Sequence, residues 1–480
     1  MIRISLTVLV LACLAGAVTA QAQDKPKGLS PHSPAQPHSP AQSPAVIRLT
    51  LDEAIARGFE ASHRLAEIRA REQGAQAAVR GAHVADKPIV SATAGYMRTN
   101  HVPEFGFLQP SGSRLVVYPD IPDNAVTRVA FQWPIYTSGR VDAMERAASA
   151  EAQAIAADIE TARADLRLEI VRAYWAVATA REAVKVLEEA ATRADAQVND
   201  SKRRFEVGLI PPNEVSSLEA QRSRERAQLI EAGNIRESTL IDLRRLIGVE
   251  PATIVELADV LDAGPPSRPE AATAGSRRSS LEPQRAEADS PGSIDTAVAD
   301  RPERKALTLR LGGLEARQQA AMTGNKPTIG LGGGVDYANP NPRIFPRKGE
   351  WQESWDVSVN VSWPLWDSGR TKAQVAEAEA AVAATRERIA EFDSLAAADV
   401  RQRLLDIDST AAMVRAASDA VVSAAEARRV IADRFNAGVA TSTEVLVAQV
   451  ALLESELART RALANVRLAE ARLHRALGKP

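Results

Sequence analysis

Few side chains in this sequence are spaced to do chemistry. His32 and His38 fall in a repeated Pro-His-Ser-Pro-Ala-Gln linker. His63, His83, His101 and His474 stand apart, without the Cys/His or Glu/His spacing that a metal ion needs. Gly332-Gly333-Gly334 lacks the Lys-Ser/Thr that follows a phosphate loop. It interrupts an alternating run, where glycine permits strand bending or close approach. No catalytic constellation appears, so the sequence predicts no enzyme, no cofactor and no metal. Glu214 and Glu444 each follow a glycine turn near the expected start of a helix. There the positive end of the helix dipole favours a carboxylate.

The elements around those residues are built twice. Phe131-Gln132-Trp133-Pro134-Ile135-Tyr136-Thr137-Ser138-Gly139-Arg140 returns as Val361-Ser362-Trp363-Pro364-Leu365-Trp366-Asp367-Ser368-Gly369-Arg370, an offset of 230 residues. Five identities in ten, with equal context on both sides, indicate duplication. Each copy ends an alternating run and opens a long alanine-rich helical pattern. Trp133, Pro134, Gly139, Trp363, Pro364 and Gly369 are therefore read as strand-to-helix joints. Proline there fixes φ and supplies no ladder hydrogen bond, which suits the end of a strand. Arg204-Phe205-Glu206-Val207-Gly208 likewise returns as Arg434-Phe435-Asn436-Ala437-Gly438 at the same offset.

In chain order, helical pattern is expected from Thr50 or Asp52 to about Ala85. A strand follows over Ile89–Met97, then a long loop over 101–124, then a strand over Thr127–Trp133. From Val141 to Phe205 the chain runs 65 residues without proline or glycine, its apolar positions stepping by three and four. Such a helix is roughly 98 Å long. Gly208 is its expected left-handed cap. Asn213 is expected to cap a return helix that runs to Ile247. The second half repeats this order: a helix to about Thr323, strands over Ile329–Tyr337 and Trp355–Trp363, a 65-residue run over Thr371–Phe435, and a helix over Ser442–Leu477.

Composition narrows the setting. Residues 1–22 read as a secretory signal, with Arg3 before an apolar run and Ala20-Gln21-Ala22 as the cleavage site. Val10-Leu11-Ala12-Cys13 leaves open a lipoprotein box instead. Cys13 is the one cysteine, so no disulfide framework is expected beyond it. A formal charge of -2 gives no reason to expect nucleic acid. The expected divisions are a proline-rich disordered segment at 23–47, a first repeat at 48–261, a linker or equatorial insert at 262–300, and a second repeat at 301–480.

Two lengths shape the architecture. Strands of about nine residues suit a tilted crossing of an outer-membrane-type bilayer, and the tryptophans at both ends of Trp355–Trp363 suit aromatic girdles. A soluble sandwich alternates equally well. The rods decide between them, since a ~98 Å shaft on a small sheet has little use in a compact protein. Four strands cannot lie open in lipid, because their edges would be unsatisfied. Closure must come from several chains: two would give eight strands, three would give twelve.

The duplicated halves, the Trp-Pro-x-x-x-Ser-Gly-Arg joints and the Arg-Phe-x-x-Gly turns together resemble the TolC-like outer-membrane efflux protein family over about residues 48–261 and 300–478. The resemblance implies a mostly α chain with a small transmembrane β part. It implies a homotrimer whose twelve-stranded β-barrel lies in outer-membrane lipid and continues as an α-helical barrel through the periplasm. The implied role is a passive exit duct of a tripartite efflux or type I secretion system, served by a periplasmic adaptor (membrane fusion protein) and an inner-membrane RND or ABC transporter. By the same resemblance Val207, Gly208, Leu209, Ala437, Gly438 and Val439 are adaptor-docking tips. Glu444 matches an acidic position of the periplasmic gate and Glu214 is its first-half counterpart, while a second acidic position of the family falls at Val447. The competing reading is a periplasmic coiled-coil adaptor or scaffold, which would show one hairpin flanked by non-membrane β domains.

Overall fold

The computed structural model describes residues 46–259, 261 and 291–478. The expected signal, most of the proline-rich segment and residues 262–290 of the expected linker lie outside the described residues. The first half comprises β1 (Val46–Leu49), α1 (Leu51–Ala61), α2 (His63–His83), β2 (Ile89–Arg98), β3 (Phe105–Leu108), β4 (Arg114–Tyr118), β5 (Asp123–Tyr136), α3 (Arg140–Glu206), α4 (Pro212–Leu246) and β6 (Ile254–Leu257). The second comprises α5 (Pro291–Asp300), α6 (Pro302–Ala321), β7 (Thr328–Asn339), β8 (Gln352–Ser362), α7 (Arg370–Asn436) and α8 (Ser442–Ala476).

Both long helices run 67 residues, within two of the uninterrupted runs in the sequence. The three-four stripe of α3 is its buried face: Ile159, Ala162, Leu166, Ile170, Val177, Ala180, Val184, Leu187, Ala191, Ala194 and Val198 are all buried. Alanines on that stripe let neighbouring helices approach closely, and apolar burial at ~25 cal/mol per Å² holds them there. Each long helix begins at a left-handed glycine, Gly139 (φ 82°) or Gly369 (φ 87°). The preceding Ser138 and Ser368 are left-handed too, at 55° and 56°. Two such residues in succession reverse the chain from strand to rod, and the repeated Ser-Gly encodes that reversal.

β2, β5, β7 and β8 form one sheet in that order, every pairing antiparallel. The strands are longer than the nine residues expected, from 10 in β2 to 14 in β5. Pro134 does not end its strand either. β5 continues to Tyr136 through a register shift at Pro134/Tyr136, and a bulge is the other place a sheet accepts proline. In the second half β8 does stop before Trp363-Pro364.

Below the sheet the rods line up in two tiers. Near the sheet the order is α2, α3, α6, α7; farther away it is α4, α3, α8, α7. α3 therefore has neighbours on both sides. α7 has them on one side, which is why it buries far fewer residues at the same length. Midway along the shaft, β1 and β6 pair in parallel and pack with α1 onto α3 and α4. Leu49, Leu65, Ile170, Tyr174 and Leu243 fill that core. Tyr174 Oη donates to Asp259 Oδ2 at 2.7 Å, while Leu51 N–H donates to the same oxygen at 3.0 Å. Burial, and then the Asp259 bond, push the Tyr174 phenol far above its usual range.

Five local expectations are corrected. The first helix is broken at Ser62, whose hydroxyl accepts from Leu65 N–H and starts α2 afresh. The loop over 101–124 contains the β3–β4 hairpin. Asn213 is not a cap, because α4 already starts at Pro212. β1 begins within the segment expected to be disordered, and α5 occupies the end of the expected linker.

Candidate functional site

The sheet has two unlike faces. Directly paired rows on one face are Ala92–Val129–Val335–Trp355 and Val90–Phe131–Gly333–Val357, with Leu331, Val359 and Val361 beyond. Trp355, Val357, Val359 and Val361 are mostly exposed. On the other face lie Thr93, Arg128, Asp336 and Ser354 in one row, and Asp356, Ser358 and Asn360 in rows below it. Arg128 spans three strands there, donating to Asp336 at 2.7 Å and to Asp356 at 2.8 Å. Arg343 also reaches Asp356, at 3.0 Å.

The glycine run sits where those side chains need room. A Cβ on Gly333 would meet the Phe131 ring at 2.7 Å, and one on Gly334 would meet Arg128 Nη2 at 3.0 Å. The ring packs over one glycine on the apolar face; the guanidinium crosses the other on the polar face.

Aromatic residues mark both ends of the apolar face. Tyr96, Tyr337 and Trp351 stand at one end, the latter two stacked with centroids 5.0 Å apart. Trp133, Tyr136, Trp363 and Trp366 stand at the other, beside the joints. Trp133 Nε1–H donates to the Asp86 carbonyl at 2.9 Å and Trp363 Nε1–H to the Asn325 carbonyl at 3.0 Å, the same bond in each half. From Glu353, paired with Tyr337, to Trp363 the chain climbs ~34 Å along β8. At a ~45° tilt this is a height of ~24 Å, against ~25 Å for the apolar band of an outer-membrane barrel. No described helix is long and apolar enough to cross a membrane.

At the far end of the rods the two turns are copies. Gly208 and Gly438 are left-handed, at 74° and 75°. Leu209 N–H donates to the Arg204 carbonyl at 2.8 Å and Val439 N–H to the Arg434 carbonyl at 2.9 Å. Val207, Leu209 and Val439 are exposed at these tips, as are Ala437 and both glycines. The two expected gate acids differ. Glu444 forms a capping box with Thr441: its Oε1 accepts from Thr441 N–H, and its own N–H donates to Thr441 Oγ1, both at 3.3 Å. Glu214 cannot do so, because its N-cap is Pro211, which has no N–H. Glu214 is half-buried, and its carboxylate makes no hydrogen bond or ion pair among the described residues. Val447 is exposed.

One contact at the tips was not read from the sequence. Arg204 donates to the Phe435 carbonyl at 3.3 Å and to Asn436 Oδ1 at 2.8 Å, with its guanidinium 4.6 Å from the Phe435 ring. It ties the first hairpin to the second. The repeated Arg-Phe-x-x-Gly was visible, but not that one copy's arginine lies on the other copy's phenylalanine. Among the described residues no group of three or more His, Cys, Asp or Glu is placed to hold a metal ion.

This sheet and these rods match known proteins. The profile of the outer membrane efflux protein family covers residues 55–249 and 293–479. The chain belongs to the outer membrane efflux protein family. Outer membrane protein TolC of Vibrio cholerae is 25% identical over 442 residues, 91% of this chain and 92% of that protein. Protein CyaE of Bordetella pertussis is 30% identical over 261 residues, 53% of this chain and 50% of that one. Among solved structures, VceC of Vibrio cholerae superposes with a TM-score of 0.72 at 20% identity, covering 89% of this chain and 96% of that one. The open state of MtrE from Neisseria gonorrhoeae gives 0.70 at 20% identity, over 89% of each chain. As an outer membrane efflux protein the chain is an exit duct: its sheet lies in the outer membrane and its rods extend into the periplasm. The scaffold reading, with one hairpin and non-membrane β domains, does not describe it.

Proposed function

We propose that three copies close side by side into a twelve-stranded barrel above a continuous helical tube, through which substrates leave passively. The observation that carries this is the coincidence of edges. The sheet ends in β2 on one side and β8 on the other. The rods end in α2 and α4 on the β2-bearing half, and in α7 on the β8-bearing half. β8 runs opposite to β2, so the next copy's β2 continues the antiparallel ladder without interruption. The edge helices carry exposed apolar side chains: Ile230, Ile235 and Ile241 on α4, and Leu395, Leu405, Met413 and Val422 on α7. In the closed ring the apolar sheet face meets outer-membrane lipid, and Arg128, Asp336 and Asp356 face the bore.

The tips Val207-Gly208-Leu209 and Ala437-Gly438-Val439 then present the periplasmic adaptor with two like-shaped turns per copy, six around the ring. An RND or ABC transporter in the inner membrane supplies the substrate. Glu214 and Glu444 stand just inside the tips as the gate carboxylates, Glu214 being the one whose oxygens are not committed to a cap. Trp133 and Trp363, pinned by their carbonyl partners, fix the sheet to the shaft at Gly139 and Gly369. The test uses cysteines placed at Leu209 and Val439 and, as a control, at Leu108 in the β3–β4 hairpin. In cells, a bifunctional maleimide crosslinker should join the tip variants to a periplasmic adaptor identified by mass spectrometry, and should not join the Leu108 variant. Adaptor adducts from Leu108 but not from the tips would overturn the docking assignment.

A further inference from the structure

Glu225 on α4 is the one carboxylate among the described residues that is buried, at 3% exposure. It lies 13 residues from the start of α4, ~20 Å above the tip. Arg193 on α3 and Glu456 on α8 lie at the same height, counted from the same turns. Around this height Leu187, Ala190, Leu229, Ala232, Leu453 and Leu457 pack the three helices together.

The charges around Glu225 come from all three helices. On its own helix, Gln221 Nε2–H donates to Glu225 Oε1 at 3.0 Å, and Arg224 donates to Gln221 Oε1 at 2.9 Å. Arg222 and Arg226 turn to Asp195 of α3. From α3 comes Arg193, 3.8 Å from Glu189 and 3.2 Å from Glu456 of α8. Arg459 follows on α8 and is itself partnered. Arg193 and Arg224 both bear on Glu225; of the two, Arg193 is the one paired across to α8, through Glu456.

This pairing falls on the seam between the two hairpins. α3 and α4 are joined by a short turn, as are α7 and α8, so each hairpin moves as a unit. Between the hairpins, α3 and α8 have no such link at this end. The apolar cluster and the Arg193–Glu456 pair join α3 to α8, and Arg204 on Phe435 joins α3 to α7. We propose that Glu225 is a proton-operated control on that seam: once ionised it draws Arg193 toward α4 and away from Glu456, so the hairpins part more readily as pH rises.

The direction follows from burial, which holds the Glu225 carboxyl protonated above the ordinary glutamate value of 4.5. The seam is complete while Glu225 keeps its proton. It loses support as pH climbs from that ordinary value through the raised one. The effect on the bore rests on the reading of the tips as the gate; the motion of the seam does not.

The test places nitroxide labels on cysteines at Val207 and Val439, one on each hairpin tip, in full-length protein in detergent. Labelled copies are diluted with unlabelled ones so that each distance is read within one chain. Double electron–electron resonance at pH 5 and pH 8 should show the distance lengthening at pH 8. Glu225→Gln should hold the short distance at both pH values, and Glu456→Gln the long one. A higher melting temperature for Glu225→Gln at pH 8 would show that it folds and has lost the burial penalty. A Glu225→Gln protein that shifts with pH as the parent does, or a parent that does not shift, would overturn the proposal. Tips that move with pH while single-channel conductance stays constant would leave Glu225 in its role and overturn the gate reading instead.

Discussion

Val357 and Ser358 are neighbours on β8 that point in opposite directions, so one substitution made at each separates the two faces of the sheet. Val357 lies near the middle of the ~24 Å apolar band, paired with Gly333 and 62% exposed on the lipid side. Ser358 pairs with Gly332 on the polar side and donates to its carbonyl at 3.4 Å. Arginine on the lipid face at mid-depth costs about 2–4 kcal/mol, which is roughly a 30- to 900-fold loss in the folding equilibrium per copy. Arginine at Ser358 enters a polar bore already lined by Arg128, Asp336 and Asp356, and the expected cost is under about 1 kcal/mol. The assay is reversible folding into thin phospholipid vesicles, followed by urea titration with tryptophan emission as the readout. The reasoning is refuted if Ser358→Arg costs as much as Val357→Arg, or if Val357→Arg is tolerated.

Gly333→Ala should be markedly less tolerated than Gly332→Ala. A Cβ at Gly333 meets the Phe131 ring at 2.7 Å and the Asp356 carbonyl at 2.8 Å, whereas at Gly332 the nearest atom is the Ser358 hydroxyl at 3.3 Å. Overpacking of the first kind costs about 1–3 kcal/mol, readable as a lower urea midpoint. Tyr174→Phe leaves Asp259 without its 2.7 Å donor in the mid-shaft core. It should lower stability by about 0.5–1.5 kcal/mol, measured by thermal melting of the helical circular dichroism signal. Glu214→Gln should reduce cation preference in planar bilayers more than Glu444→Gln, because the Glu444 carboxylate is engaged by the Thr441 cap. The reverse order would return Glu214 to a simple dipole partner.

Much of this architecture was legible before any coordinates, for a physical reason. A 67-residue helix must be free of proline and glycine along its whole length, and a strand between lipid and water must alternate, so both the rods and Trp355–Trp363 stand out in the sequence. The repeat offset of 230 fixed the equivalence of the halves. What escaped depends on long-range contact. β1 and β6 are four residues each and meet across more than 200 positions, so neither shows a pattern of its own. The β3–β4 hairpin is hidden among turn-forming residues. The break at Ser62 needs only one hydroxyl at the start of α2. The duplication itself misled in two places: Pro134 continues a strand where Pro364 follows one, and Glu214 lacks the cap that Glu444 has. At the first place equal motifs took different strand pairing; at the second the residue before the helix, Pro211 or Thr441, decided the chemistry.

The central claim is that one chain supplies a third of a closed wall. It is tested most directly by the mass of the protein–detergent particle, measured by light scattering with the detergent contribution subtracted. Three copies per particle, unchanged on dilution, is the predicted result. A single copy that keeps its four strands paired in the micelle would contradict it, because the exposed edges of β2 and β8 would then need no partner.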